Sequence, residues 1–432
     1  KTSSARLPSF LFSAIRDSTL QFGAQNAANR GGSVMDIKQA NRNVVLYYFF
    51  QLLREPLFWG PIFISYIRHV SQMSLSEIYI MEATCLIGIM LLEIPSGALA
   101  DLLGRRRTIF IGSALIIAEH LVFALADSRL MIWSANLIWV VGMSLVSGAD
   151  SSLLFDSLRV LNREDDFRRI EGQSVSFRLL LVAACSPLVG YMASWNWRLP
   201  VGLGVVFIAI NCLVTYFFAE PPFAGRQKYT AAGHWRLMKL SVLFVSNHRP
   251  VKWVIAFSVL VGVISKVWFF TYNPYFELVN LPLSWYGWIF FGLNLVAAIF
   301  SHQGHRLWSK IGDFGSVLMI LAVVSLPIIA MGLLVAWPLA FLVILQNVAR
   351  GYSNPFLGHF LHRYLDSSNR ATVVSIKSAV RGLAEFVVLG LFGLLLRLVD
   401  LPAGLVILGT ASLIAAAWLI VSYCRIFVIQ NN

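Results

Sequence analysis

The chain has 432 residues, of which 58% are hydrophobic and only 13% charged, and its mean hydropathy is +0.72. About a quarter of a soluble domain is charged, so these values exclude a soluble globular enzyme, a disordered chain and a small disulfide scaffold. The formal charge is +13, from 34 Lys and Arg against 21 Asp and Glu; on so apolar a background the excess points to membrane topology, and no nucleic-acid partner is expected.

Residues 1–34 fit the rest of the chain poorly. Their most apolar stretch, 7–22, contains Arg16 and Asp17, and its apolar runs are too short for a signal peptide. Met35 reads as the natural start, which makes 1–34 an upstream extension; a disordered tail is the alternative. A bilayer core about 30 Å thick needs roughly 20 apolar residues per helix. Twelve such segments follow, at 44–69, 77–100, 107–126, 130–157, 172–194, 199–218, 251–275, 284–304, 315–335, 338–362, 374–397 and 402–424. The runs are continuous rather than alternating, which predicts an all-α integral membrane protein and not a β-barrel. Cys85, Cys185, Cys212 and Cys424 lie in apolar stretches without CxxC spacing and read as small buried hydrophobes.

The polar stretch 219–250 divides the segments six and six. The expected organisation is a six-helix bundle at 35–218, a cytoplasmic linker at 219–250, and a second bundle with a short tail at 251–432. If the first segment leaves the cytoplasm, 21 Lys and Arg fall on the cytoplasmic side and only Arg68, Arg129, Arg198 and Arg397 on the other. That asymmetry predicts a multi-pass protein of the cell (inner) membrane with both termini cytoplasmic.

The halves echo each other. Met73-Ser74-Leu75-Ser76 and Leu281-Pro282-Leu283-Ser284 are 208 residues apart, as are Gly104 and Gly312; Gly148 and Gly351, and Arg178 and Arg381, are 203 apart. Two consistent offsets predict parallel repeats related by pseudo-symmetry, with a substrate cavity between them near the bilayer midplane.

After the second segment the chain reads Gly97-Ala98-Leu99-Ala100-Asp101-Leu102-Leu103-Gly104-Arg105-Arg106-Arg107. This resembles the loop signature of the major facilitator superfamily, G-x-L-A-D-R-x-G-R-[RK]-[RK], with Leu102 in place of a basic residue. The resemblance covers residues 44 to about 428. It implies a twelve-helix secondary transporter that works by alternating access. It also implies a cytoplasmic gate in which Asp101 and Arg105 form a charge cluster with an acid on the fourth helix, here Asp156. Glu93, Gly97, Gly104, Arg106 and Arg107 complete the candidate gate. In the second half, the corresponding places hold His305, Arg306 and His359, with Arg381 and Glu385 on the eleventh segment. The two His-x-x-His pairs, His302/His305 and His359/His362, read first as solvated helix ends, next as a pH-sensitive gate and last as a metal or oxygenase site.

Charges inside spans are costly and face a partner or a wet cavity. The family resemblance implies that the first, fourth, seventh and tenth helices line the cavity. Arg54, Glu55, Asp150, Lys266 and Arg350 are therefore the candidate substrate or proton residues. Glu55 is expected to pair with Arg54 or Lys266, or to carry a proton, since a carboxylate in a low-dielectric cavity binds its proton more tightly. Glu385, four residues after Arg381, is placed to pair with it. Gly142 to Ser152 is rich in small residues and reads as helix packing. Asn273-Pro274 is expected to break the seventh helix and act as a hinge.

Ser186-Pro187-Leu188-Val189-Gly190-Tyr191 partly matches the antiporter signature G-P-x-x-G-G, which leans the reading toward proton-coupled efflux of a small molecule. Proton symport of a small, possibly anionic, solute is the alternative; a membrane receptor or His-metal enzyme is more remote. No Walker loop or hydrolase pattern is present. No enzyme activity and no cofactor beyond the proton gradient is expected, and the likeliest assembly is a monomer in the lipid bilayer.

Overall fold

The computed structural model describes residues 35–55, 57–221, 248–364 and 367–428. The extension at 1–34 and most of the linker at 219–250 lie outside them. The first half contains α1 (Ile37–Leu52), α2 (Phe63–Ser71), α3 (Leu75–Leu103), α4 (Arg105–Leu125), α5 (Arg129–Val146), α6 (Ala149–Val160), α7 (Phe167–Trp195) and α8 (Arg198–Tyr216). The second contains α9 (Arg249–Leu278), α10 (Leu283–Leu333), α11 (Val343–Tyr364), α12 (Ser367–Leu395) and α13 (Leu401–Tyr423). Among the described residues there are nine helical runs long and apolar enough to cross a membrane, and no strand.

Two segments expected to be continuous are interrupted. The first stops after Leu52 and resumes through a 3-10 turn at Gly60–Ile62 into α2. Pro56 follows Glu55 in the sequence, and proline disfavours helical backbone in the residue before it. The fourth breaks between α5 and α6 at Gly148, whose φ of 82° suits glycine. Conversely, the eighth and ninth expected segments follow each other within the 51-residue α10, where Gly312 has φ 68° and ψ −173° and turns the chain between two arms. Gly104, between α3 and α4, has φ 92°. The 208-residue repeat therefore reappears as two positive-φ glycines, each opening a new helix.

One expectation is overturned. Asn273-Pro274 does not end its helix: α9 continues to Leu278 with Pro274 buried inside it. Such a proline is tolerated in a membrane helix when its surroundings satisfy the freed backbone group.

The halves meet along α3 with α12, α7 with α10, and α2 with α9. A Cβ on Gly287 of α10 would stand 2.1 Å from the Ser186 carbonyl oxygen of α7, and one on Gly190 would stand 2.4 Å from that of Leu283. The partial antiporter signature thus lies where two backbones touch, which only glycine permits. Within the first half, a Cβ on Gly112 would come 2.8 Å from the Gly142 carbonyl oxygen, so the small residues of the fourth segment do serve packing.

Candidate functional site: a charge network between two halves

The two ends of the molecule differ. One end holds the turns near residues 72, 127, 197, 280, 336 and 398; the other holds Gly104, Asn162, Gly312 and both ends of the described chain. Hydrogen bonds and ion pairs between described residues of the two halves gather at the first, sealed end. Arg68 of α2 pairs with Glu277 of α9. Asn273 accepts from the Ile64 amide at 3.1 Å and donates to the Pro61 carbonyl at 2.7 Å. Tyr272 donates to the Gly60 carbonyl at 2.6 Å. Tyr79 meets Thr271 at 2.6 Å, and Arg397 donates to Ser76 at 3.1 Å. The first span breaks at Gly60 and Pro61, so side chains of α9 satisfy backbone groups that an apolar setting would otherwise orphan.

At the other end the ties among the described residues stay within the first half. Arg105 pairs with Asp156 and donates to the Ser152 carbonyl at 2.5 Å. Arg106 donates to the Tyr216 carbonyl at 2.7 Å. Asn43 donates to Ser157 at 3.0 Å and to the Ala219 carbonyl at 2.8 Å. Arg107 is exposed, and Glu93, Gly97 and Asp101 line an exposed stretch of α3. Asp101 makes no ion pair with a described residue, so the structure brings Arg105 and Asp156 together and leaves Asp101 apart. Glu220, which the sequence did not single out, accepts from the Arg105 and Arg106 amides at 2.7 and 2.8 Å. It thereby satisfies two open donors at the start of α4 with a charge the helix dipole favours. Its only signal in the sequence was an acid placed just before Pro221 and Pro222.

Between the ends lies a network of charges, placed by the two helix breaks. Asp150, in the first turn of α6 after Gly148, accepts from Arg54 at 2.5 Å and from Gln51 at 3.0 Å. Gln51 also donates to Tyr47 at 2.9 Å and accepts from Arg178 of α7 at 3.0 Å. Arg178 lies 3.3 Å from Glu55, whose side chain is 49% exposed although it stands midway along the bundle. Glu55 therefore pairs with Arg178, not with Arg54 or Lys266. From the second half, Arg350 of α11 comes within electrostatic reach of Glu55, Arg178 and Tyr272. It forms no ion pair with a described residue. Glu171 of α7 comes within electrostatic reach of Asp150, so three guanidinium groups face three carboxylates here. Lys266 is elsewhere, 5.3 Å from the centre of the Phe270 ring.

In the second half, Arg381 and Glu385 pair on α12 at 2.6 Å, as their spacing suggested. His305 and Arg306 are exposed at the open end, where the His305 ring contacts the His302 carbonyl at 3.2 Å. The side chains of His359 and His362 lie outside the described residues. Among the described residues, no cluster of three or more His, Cys, Asp or Glu is placed to hold a metal ion.

No family model matches the chain. It is similar to an uncharacterized MFS-type transporter of Bacillus subtilis (strain 168), YxaM, with 22% identity over 390 residues, covering 85% of this chain and 93% of that protein. Among solved structures it superposes on the nucleoside transporter NupG with a TM-score of 0.72 at 13% identity, covering 90% of this chain and 99% of that one. It superposes on a D-xylose–proton symporter with a TM-score of 0.62 at 15% identity, covering 89% and 96%. The loop motif at 97–107, a relative matched along nearly its whole length and the shared fold make this multi-pass membrane chain similar to the transporters of the major facilitator superfamily.

Proposed function

We propose that the chain is a secondary transporter that moves a small solute across the membrane by alternating access, exporting it in exchange for protons. The observation that carries this reading is a network of charges drawn from both halves, whose described residues bond to each other across the halves at one end. A solute enters from the open end and lies among Arg54, Glu55, Asp150, Arg178 and Arg350. Rocking of the halves about the α3/α12 and α7/α10 contacts then exposes it at the other end. In this reading the twelve spans include the two arms of α10, the broken first span and the run through α11. The open end is cytoplasmic, in keeping with the basic residues there, and the transporter acts as a monomer with no cofactor beyond the proton gradient.

Arg350, which has no ion-pair partner among the described residues, favours a solute with an anionic group, because it offers a planar, permanently charged fork to a carboxylate or phosphate. Export is supported by the partial antiporter signature at Ser186–Tyr191. Proton symport of such an anion is the second reading, favoured by the same Arg350 guanidinium. Expression in an efflux-deficient host, challenged with a panel of small toxic anions and cations, tests the first. Resistance to an anionic member is expected, and its loss in Arg350→Gln. If no compound gives resistance, and proteoliposomes instead accumulate the anion when an inward proton gradient is imposed, export is wrong.

A further inference from the structure

A second group of ionisable side chains lies away from the cavity network. Glu82 on α3 is 8% exposed; Glu119 and His120 on α4 are 2% and 1% exposed. Glu82 Oε1 and His120 Nε2 have no hydrogen-bond partner among the described residues. The His120 ring is fixed on two sides: Nδ1 contacts the Ile116 carbonyl at 3.0 Å, and Trp59 lies against the ring at a centroid distance of 4.8 Å. The Glu119 carboxylate abuts the same Nδ1. From the other half, Lys266 of α9 comes within electrostatic reach of Glu82 without closing to an ion pair.

The neighbouring elements supply little else that titrates. Cys85 on α3 lies within reach of Glu82, Glu119 and Lys266. Helix α5 presents Asn136, which donates to Met81 and meets Cys85. On α12, Glu385 is paired with Arg381. On α6, Asp150 and Asp156 are engaged by Arg54 and Arg105. The charge of α8 that approaches α4 is Arg198, which donates to the Ala126 carbonyl.

Charge balance is then decisive. With both carboxylates ionised, His120 neutral and Lys266 charged, the group carries one net negative charge. An unpaired buried charge costs several kcal/mol. One proton, held by Glu119 or shared with His120, brings the group to neutrality and leaves Lys266 to balance Glu82. We propose that Glu82, Glu119 and His120 form a one-proton site, occupied while this end is sealed, with Lys266 as its counter-charge from the second half. Separating the halves at the sealed end withdraws Lys266 and admits water to the acids, so the proton loads from that side and closure depends on it. This deepens the proton-coupled reading above and rests on it. It moves the coupling proton away from Glu55, which is water-exposed and already paired with Arg178.

The test uses the full-length protein in lipid nanodiscs, with its four native cysteines replaced. Spin labels are placed at the exposed positions Gln72→Cys and Asn280→Cys on either side of the sealed end. The fraction at the short distance is expected to rise as pH falls, changing the closing equilibrium by up to about tenfold per pH unit, the limit for one proton. Glu119→Gln is expected to hold the short distance at all pH values, and Glu119→Asp to restore the response; Glu82→Gln serves as a second probe of the same group. A wild-type distribution that ignores pH overturns the proposal, as does an unchanged response in both Gln variants. Because no solute enters the measurement, its outcome is separate from any failure of the transport assay.

Discussion

The sealed and open ends are held by different kinds of contact. At the sealed end, Asn273, Tyr272 and Glu277 of α9 bond groups in the first span, so the ties cross between halves. At the open end, Asp156, Asn43 and Glu220 bind groups within the first half. The contrast teaches which bonds must break for the cavity to change sides. In the proposed cycle those at the sealed end would be exchanged, and those at the open end would keep the first half rigid while it moves. Among the described residues the motif at 97–107 braces one half and does not bridge the two.

The largest effect is expected where backbones touch. Gly287→Leu drives a side chain into the Ser186 carbonyl and is expected to destabilise the packed form by about 1–3 kcal/mol or more, read as a lower melting temperature in detergent. Gly97→Ala, at the open end with nothing within 4 Å of its Cβ, is expected to leave the melt unchanged. Equal losses in both would erase the contrast.

Next comes Asn273→Ala, which strips the Ile64 amide and the Pro61 carbonyl of a shared partner. Each orphaned buried group costs about 1–3 kcal/mol, so the sealed form is expected to weaken by roughly tenfold or more. Thiol labelling of Gln72→Cys in that background is expected to quicken. Glu220→Gln removes a charge from the start of α4 and is expected to cost about 0.5–1 kcal/mol, visible in the melt, with labelling at the sealed end unchanged. Smallest in stability is Asp101→Asn. Asp101 is exposed here, so protein levels and the melt are expected to match the wild type, while transport falls because its partner is found only after the open end closes. Normal transport by this variant would remove Asp101 from the gate.

Much of the architecture was legible in the sequence because it is written in apolar run length and in a repeat. Gly104 and Gly312 were matched by offset alone, and both prove to hold positive φ at a helix start. The interruption of the first span was less legible. Pro56 was visible, but whether a membrane proline kinks, breaks or is absorbed depends on what neighbouring helices offer its backbone. Asn273 and Tyr272 serve the break near Pro56, whereas Pro274 is accommodated inside α9. Pairing was the least legible. Arg381 and Glu385 are one turn apart, so spacing was enough; Glu55 met Arg178 instead of Arg54 or Lys266 because the break turns it toward α7. Glu119 and His120 gave no periodic signal, since adjacent residues converge only through burial.

The central claim is that the two ends open in alternation, and one paired distance measurement tests it most directly. Spin labels at Gln72→Cys and Asn280→Cys report the sealed end; labels at Gly97→Cys and Ser378→Cys, exposed on α3 and α12, report the open end. When Asn273→Ala loosens the sealed end, the account predicts that the first distance lengthens as the second shortens. A second distance that stays fixed or lengthens with the first would contradict it.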